Sequence, residues 1–176
     1  MFCSVFRFFG GNCYFCRMIC LIAHYDSPIG GMTMVSDGTA LTALCFKGSR
    51  SDSYSAKGVL ETPTCPVFDV TRRWLDMYFN GQKPDFTPRL VPHGTPFQLR
   101  VWDIILTVPY GKTISYGDIA RRISPTMSAQ AVGGAVGRNP IAIIIPCHRV
   151  IGADGSLTGY GGGLKRKRWM LEMERK

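Results

Sequence analysis

The sequence predicts an α+β fold: a small N-terminal antiparallel sheet with a helix, followed by a mostly helical C-terminal domain containing a helix-turn-helix. Three observations lead there. Short apolar runs broken by glycine and proline turns occupy residues 19–46, the pattern of a strand meander. A stretch with four prolines, QKPDFTPRLVPHGTP at 82–96, cannot be regular structure and marks a boundary between two lobes. Beyond it, apolar residues recur at helical spacing in segments that carry their own start signals.

Along the chain, Ile19 to Tyr25, Met32 to Ser36 and Leu41 to Phe46 read as three strands joined by turns at 26–31 and 37–38. Residues 51–65, rich in Ser, Thr, Gly and Pro, read as a loop. Pro66 then opens a helix in which Val67, Val70, Trp74 and Tyr78 share a face and Gly81 supplies the stop. Thr95-Pro96 caps a second helix with a stripe of Phe97, Val101, Ile104 and Ile105. Ser115 to Ile123 and the segment after Ser128 form two short helices across a tight SPTM link, the helix-turn-helix. The second of these carries Ala129, Ala131, Gly133, Gly134 and Ala135 and hardly a long side chain, which suits a narrow groove or a close helix partner. Ile141 to Ile145 is a buried run delivering Cys147 and His148, Thr158 to Gly163 a glycine-rich mobile loop, and the last residues a closing helix. The expected organisation is a leader over 1–18, an N-terminal α/β domain over 19–92, and a mostly helical C-terminal domain containing the helix-turn-helix over 93–176.

Length and composition indicate an ordinary globular protein, because 176 residues with 45% apolar and 19% charged side chains exclude disorder, collagen and coiled coil. Charge is uneven. Residues 1–95 hold 9 basic and 7 acidic side chains, whereas 96–176 hold 12 and 5. A basic half of that kind fits a polyanionic partner, although a basic face kept for solubility is the plainer explanation. The run Lys165-Arg-Lys-Arg168 is expected to be a solvated face near phosphate.

Seven cysteines, four of them in the first twenty residues, make no disulfide framework and indicate a reducing compartment. In the leader, Arg7 and Arg17 bracket nine uncharged residues broken by Gly10 and Gly11, too short a run for a membrane span. Cys13 and Cys16 stand at zinc-ligand spacing, but one CxxC without a second pair is weak. The expectation is a leader outside the fold, with initiation at Met18 as an alternative, and no metal or cofactor.

Cys147 is the candidate nucleophile, since a thiolate needs a basic or cationic neighbour. His148 is adjacent, but neighbouring side chains on an extended chain point apart, so a bridging water is expected between them. Glu172 or Glu174 on the closing helix can orient the imidazole. The plainer reading is a cysteine packed as a small hydrophobe after an isoleucine run.

The segment IPCHRVIGADGSLTGYGGG resembles the active site of O6-alkylguanine-DNA alkyltransferases, also called methylated-DNA–protein-cysteine methyltransferases. TPFQLRVWDIILTVPYGKTISYGDIA and AVGGAVGRNP occur in that family's order and spacing, so the resemblance runs from about Tyr25 to Glu174. It implies that Cys147 accepts the alkyl group, that His148 is the base acting through water, and that Glu174 orients His148. It implies further that Tyr116 gives a proton to the leaving guanine oxygen and that Asn139 braces the active-site turn. Val150, Tyr160, Gly161 and Gly162 would line the base pocket. Ser115, Ser128, Ala129, Gln130, Gly133 and Arg138 would meet DNA, with Gln130 where many members carry an arginine. The implied substrate is O6-alkylguanine in double-stranded DNA, with O4-alkylthymine left open, repaired once per protein molecule. The resemblance implies a cytoplasmic monomer, with cooperative binding on DNA left open and no membrane partner. Two competing readings are a DNA-binding module without chemistry and a cysteine hydrolase. Neither explains Tyr116, Asn139 and the glycine loop together.

Overall fold

The computed structural model describes residues 20–49, 59–62 and 64–176. Strands β1 (Cys20–Ser27), β2 (Gly30–Ser36) and β3 (Leu41–Phe46) form the expected antiparallel meander, with Tyr25 opposite Met32 and Met34 opposite Leu44. A fourth strand, β4 (Val59–Glu61), lies parallel to β1, giving the order β3-β2-β1-β4. It falls inside the stretch expected to be loop. Three residues borrow their pairing from β1 and carry no alternation long enough to read.

Helix α1 (Pro66–Phe79) starts on Pro66 as expected, and it buries Val67, Phe68, Thr71, Trp74, Leu75 and Tyr78. Val70, expected on the buried face, is 41% exposed. The face is centred on Phe68 and Leu75, four-plus-three spacing that the β-branched Val70 does not join. Helix α2 (Pro96–Leu106) begins in a capping box: Thr95 Oγ1 accepts from Gln98 N, and Gln98 Oε1 accepts from Thr95 N. Its inner face is Val101, Trp102 and Ile105, while Phe97 and Ile104 are half-buried.

Strand β5 (Ile114–Ser115) leads into α3 (Tyr116–Ile123), capped reciprocally by Ser115 and Asp118, and α4 (Ala129–Val136) is capped by Ser128. Strand β6 (Val150–Ile151) pairs parallel with β5, and α5 (Leu164–Met173) closes the fold. No helix among the described residues is long and apolar enough to cross a membrane.

Two contacts of the β3 edge anchor neighbouring chain. On one stretch Leu41 exchanges backbone hydrogen bonds with Arg89 and Val91, so the proline-rich segment covers an edge that would otherwise be open. Further along, Leu44 N donates to Pro140 O (2.9 Å) and Ala142 N donates to Leu44 O (2.8 Å). The N-terminal sheet thus carries the chain that leads to Cys147. One apolar core runs through both sides of the proline-rich stretch, from Met32, Leu44 and Phe68 to Trp102, Ile119, Ile145 and Met170.

Candidate active site

The run Ile141–Ile145 does not form a strand; it turns tightly, with Ile143 at φ 69°. A β-branched residue in the left-handed region is strained by roughly 1–3 kcal/mol and persists only when its surroundings hold it. Asn139, 6% exposed, does so. Its Nδ2 donates to Ile141 O (3.2 Å) and Ile145 O (2.8 Å), while Oδ1 accepts from Ile141 N (3.0 Å). The same Nδ2 lies 3.0 Å from Cys147 Sγ. The turn therefore sets the sulfur at the start of a 3-10 turn, Cys147–Arg149, with Cys147, His148 and Arg149 all buried.

Behind the sulfur sits a buried polar network centred on Glu174. Its Oε1 accepts from Tyr78 Oη (2.8 Å) and Arg149 Nη2 (3.0 Å) and lies 2.7 Å from His148 Nε2. Its Oε2 accepts from Arg149 Nε (2.8 Å) and Gly111 N (3.1 Å). Burial alone would raise this carboxyl, but the hydrogen bonds from His148 and Arg149 and the Arg149 charge outweigh it and hold the group at about 2. A carboxylate accepts and does not donate, so His148 Nε2 carries the proton. Tyr78 Oη, 3.3 Å from the same Nε2, has its own proton on Glu174 and is left to accept. The lone pair is then on Nδ1, which is buried and has no protein partner among the described residues. Burial lowers the His148 pKa despite the Glu174 bond, so the ring rests neutral.

The Cys147 thiol is pushed up by burial, offset in part by the Asn139 hydrogen bond and the charge of Lys167. Lys167 is fully buried; its Nζ donates to Val150 O (2.6 Å) and Thr158 O (2.9 Å) and stands 5.9 Å from the centre of the Tyr116 ring. Burial pulls this amine down to about 8. The run Lys165 to Arg168 is therefore not one solvated face. Lys167 turns inward, Arg166 is half-buried against Ile29 and Gly162, and Lys165 and Arg168 are exposed. Helical period, not charge, decides which member points where.

A small cavity of about 20 Å³ is lined by Cys147, Asn139, Tyr160, Gly161, Gly162 and parts of β3. Outside it lies an open groove of about 1290 Å³ bounded by α3, α4 and the 152–161 loop, and Tyr160 and Gly161 line both. Tyr116 stands on the groove wall with its hydroxyl donating to Thr158 O (2.9 Å).

Models of two families cover most of the chain: "6-O-methylguanine DNA methyltransferase, ribonuclease-like domain" matches residues 21–92, and "6-O-methylguanine DNA methyltransferase, DNA binding domain" matches 96–176. A methylated-DNA–protein-cysteine methyltransferase of Mycobacterium bovis is 48% identical over 155 residues, 86% of this chain and 92% of the relative. The chain belongs to the methylated-DNA–protein-cysteine methyltransferase family. A relative of that name from Haemophilus influenzae is 41% identical, covering 86% of this chain and 84% of its own. The crystal structure of Mycobacterium tuberculosis OGT in complex with DNA superposes with a TM-score of 0.80 at 46% identity, covering 88% of this chain and 92% of that one.

In this family member the residues expected at the site separate into three places. Cys147, His148, Glu174 and Asn139 meet in the buried network, and Tyr160, Gly161 and Gly162 form the cavity wall. Ala129, Gln130, Gly133 and Arg138 line the groove, where a Cβ on residue 133 would meet the Tyr116 ring at an ordinary 3.8 Å. Ser115 and Ser128 are spent on helix caps. Val150 is fully buried and lines neither cavity nor groove; its carbonyl holds Lys167. Of the two glutamates weighed, Glu172 is exposed and Glu174 is the one in the network. Sequence reasoning missed Tyr78, Arg149, Lys167 and the Gly111 amide. The signal available was the arginine beside His148 and a lysine at helical spacing from the buried Met170 and Leu171.

Proposed function

We propose that this protein repairs double-stranded DNA directly by moving the alkyl group of O6-alkylguanine irreversibly onto Cys147. The observation that carries the reading is a buried thiol bound to Asn139 and backed by a neutral, Glu174-locked histidine, beneath a groove walled by a helix-turn-helix. The thiol is protonated at rest because burial raises it. His148 Nδ1 takes that proton through a water, Glu174 steadies the imidazolium, and Lys167 and Asn139 stabilise the thiolate. The sulfur lone pair attacks the alkyl carbon in line with the departing oxygen, an S–C bond forms, and the C–O electron pair passes to the base. Tyr116, released from the Thr158 carbonyl, supplies a proton to that oxygen, and the imidazolium proton of His148 passes through water to the Tyr116 oxygen, so that both side chains end as they began. The net change moves the thiol proton to guanine and the alkyl group to sulfur. A thioether is not displaced by water, so each molecule acts once.

A base inside the stack is out of reach, so the nucleotide is flipped out past Gln130 at a cost of a few kcal/mol. Small residues on α4 fit the minor groove, with Ala129, Gln130, Gly133 and Arg138 along the contact face and the Ser115 and Ser128 caps presenting helix N-termini to phosphate. Tyr160, Gly161 and Gly162 receive the base, while the Val150 carbonyl holds Lys167. The organisation proposed is an N-terminal domain over 19–92 and a DNA-binding, catalytic domain over 93–176, in a cytoplasmic monomer; the leader expected over 1–18 lies outside the described residues. The test is uptake stoichiometry: the protein takes up one alkyl equivalent from DNA and then stops, and Cys147→Ala takes up none while still binding DNA. Repeated turnover would favour a hydrolase instead.

A further inference from the structure

Resting on the alkyl-transfer function proposed for Cys147, we infer that Arg166 is a positioning residue for the base pocket, tying the pocket loop to the N-terminal β1–β2 turn. Its Nε donates to Ile29 O (2.7 Å) in that turn, and its Nη1 donates to Gly162 O (2.8 Å) in the loop. The guanidinium lies 4.6 Å from the centre of the Phe46 ring, within cation–π range. Phe46 in turn lines the cavity that holds Cys147. One side chain therefore joins the β1–β2 turn, the end of β3 and the pocket loop around one pocket wall.

The loop leaves little room for error at this point. A Cβ on residue 162 would lie 2.7 Å from Tyr160 Cε1 and 2.9 Å from Phe46 Cδ2, so the backbone passes between two rings at closest approach. Gly30 is similarly pressed: a Cβ there would stand 2.8 Å from Arg166 Nη2. From the opposite side Lys167 and Tyr116 both donate to Thr158 O. The loop is thus pinned at 158 from within and at 162 from the N-terminal side, with Tyr160 between the two anchors. A planar donor fork can serve two carbonyls and an aromatic face at once, which an ammonium cannot. The role assigned to Arg166 is to fix where Tyr160 and Gly161 meet the base, not to touch the reacting atoms.

The experiment uses the full chain with free O6-benzylguanine, which needs no DNA, and follows label on Cys147 by peptide mass mapping while substrate concentration is varied. Arg166→Met keeps the aliphatic stem and removes the fork. The half-saturating concentration should rise about tenfold, the size one charge-assisted hydrogen bond supports, while the limiting rate constant stays within about twofold of the parent, since the Glu174 network is untouched. Arg166→Lys should recover part of the loss, and amide exchange over 158–163 should quicken in Arg166→Met. A variant with parental half-saturation, measured well below its unfolding temperature, would overturn the inference, as would a fall in limiting rate with half-saturation unchanged. Failure of the parent protein to label Cys147 at all would instead remove the functional reading beneath it.

Discussion

Replacing Glu174 by Gln removes one charge and no volume, and each orientation of the amide must lose something in this network. With the amide oxygen at the Oε1 site, the NH2 faces Arg149 Nε and Gly111 N, both donors. With the oxygen at the Oε2 site, the NH2 faces Arg149 Nη2 and His148 Nε2, so the imidazole must reverse its tautomer and the lone pair leaves Nδ1. Either way the Arg149 guanidinium is left buried without a counter-charge, which costs about 3–5 kcal/mol. The carboxyl is itself held down from 4.5 to about 2, so its ionisation favours the folded state. Because the folded-state pKa lies below the unfolded one, this stability is fully present above about 4.5 and is lost as pH falls through about 2. Glu174→Gln should therefore unfold roughly 6–20 °C lower at neutral pH, and its stability should change less than the parent's between those two pH values. Single-turnover transfer from O6-methylguanine DNA should slow by about a hundredfold, since the imidazolium loses its partner. Adding Arg149→Met should restore much of the stability but not the rate. A Glu174→Gln protein with parental melting and parental rate would refute the network's role.

Three further outcomes are expected. Lys167→Met should slow transfer most below pH 8, where the amine is charged beside the sulfur, and the ratio to the parent should shrink as pH rises through about 8; a pH-independent ratio would contradict the electrostatic role. Gln130→Ala should slow repair of duplex DNA about fivefold to tenfold, Gln130→Arg should speed it, and neither should affect free O6-benzylguanine, which is not flipped; equal effects on both substrates would place Gln130 in folding. DNA affinity should fall by orders of magnitude between about 50 and 200 mM salt if six or more phosphates are met, and a flat salt response would exclude the basic face as the contact surface.

The elements that announce themselves locally were legible in the sequence: the glycine turns of the meander, Pro66, the Thr95 and Ser115 caps and the proline-rich divider. Strand β4 was not, because three residues pair only through β1. The site was legible where chemistry sits in one short segment, Asn139 to His148. Tyr78 and Gly111 reach Glu174 from 96 and 63 residues away, and nothing in their own surroundings marks them. Lys167 and Arg166 were hidden by the opposite fault: four basic residues in a row look like surface, yet helical geometry turns one of them wholly inward.

The central claim, that Cys147 is the alkyl acceptor, is tested most directly by peptide mass mapping after incubation with duplex DNA containing O6-methylguanine. The predicted result is one added methyl group per protein molecule, on the peptide containing Cys147, with uptake then ceasing. Methyl groups on any of the other six cysteines with Cys147 unmodified, or continued turnover, would contradict it.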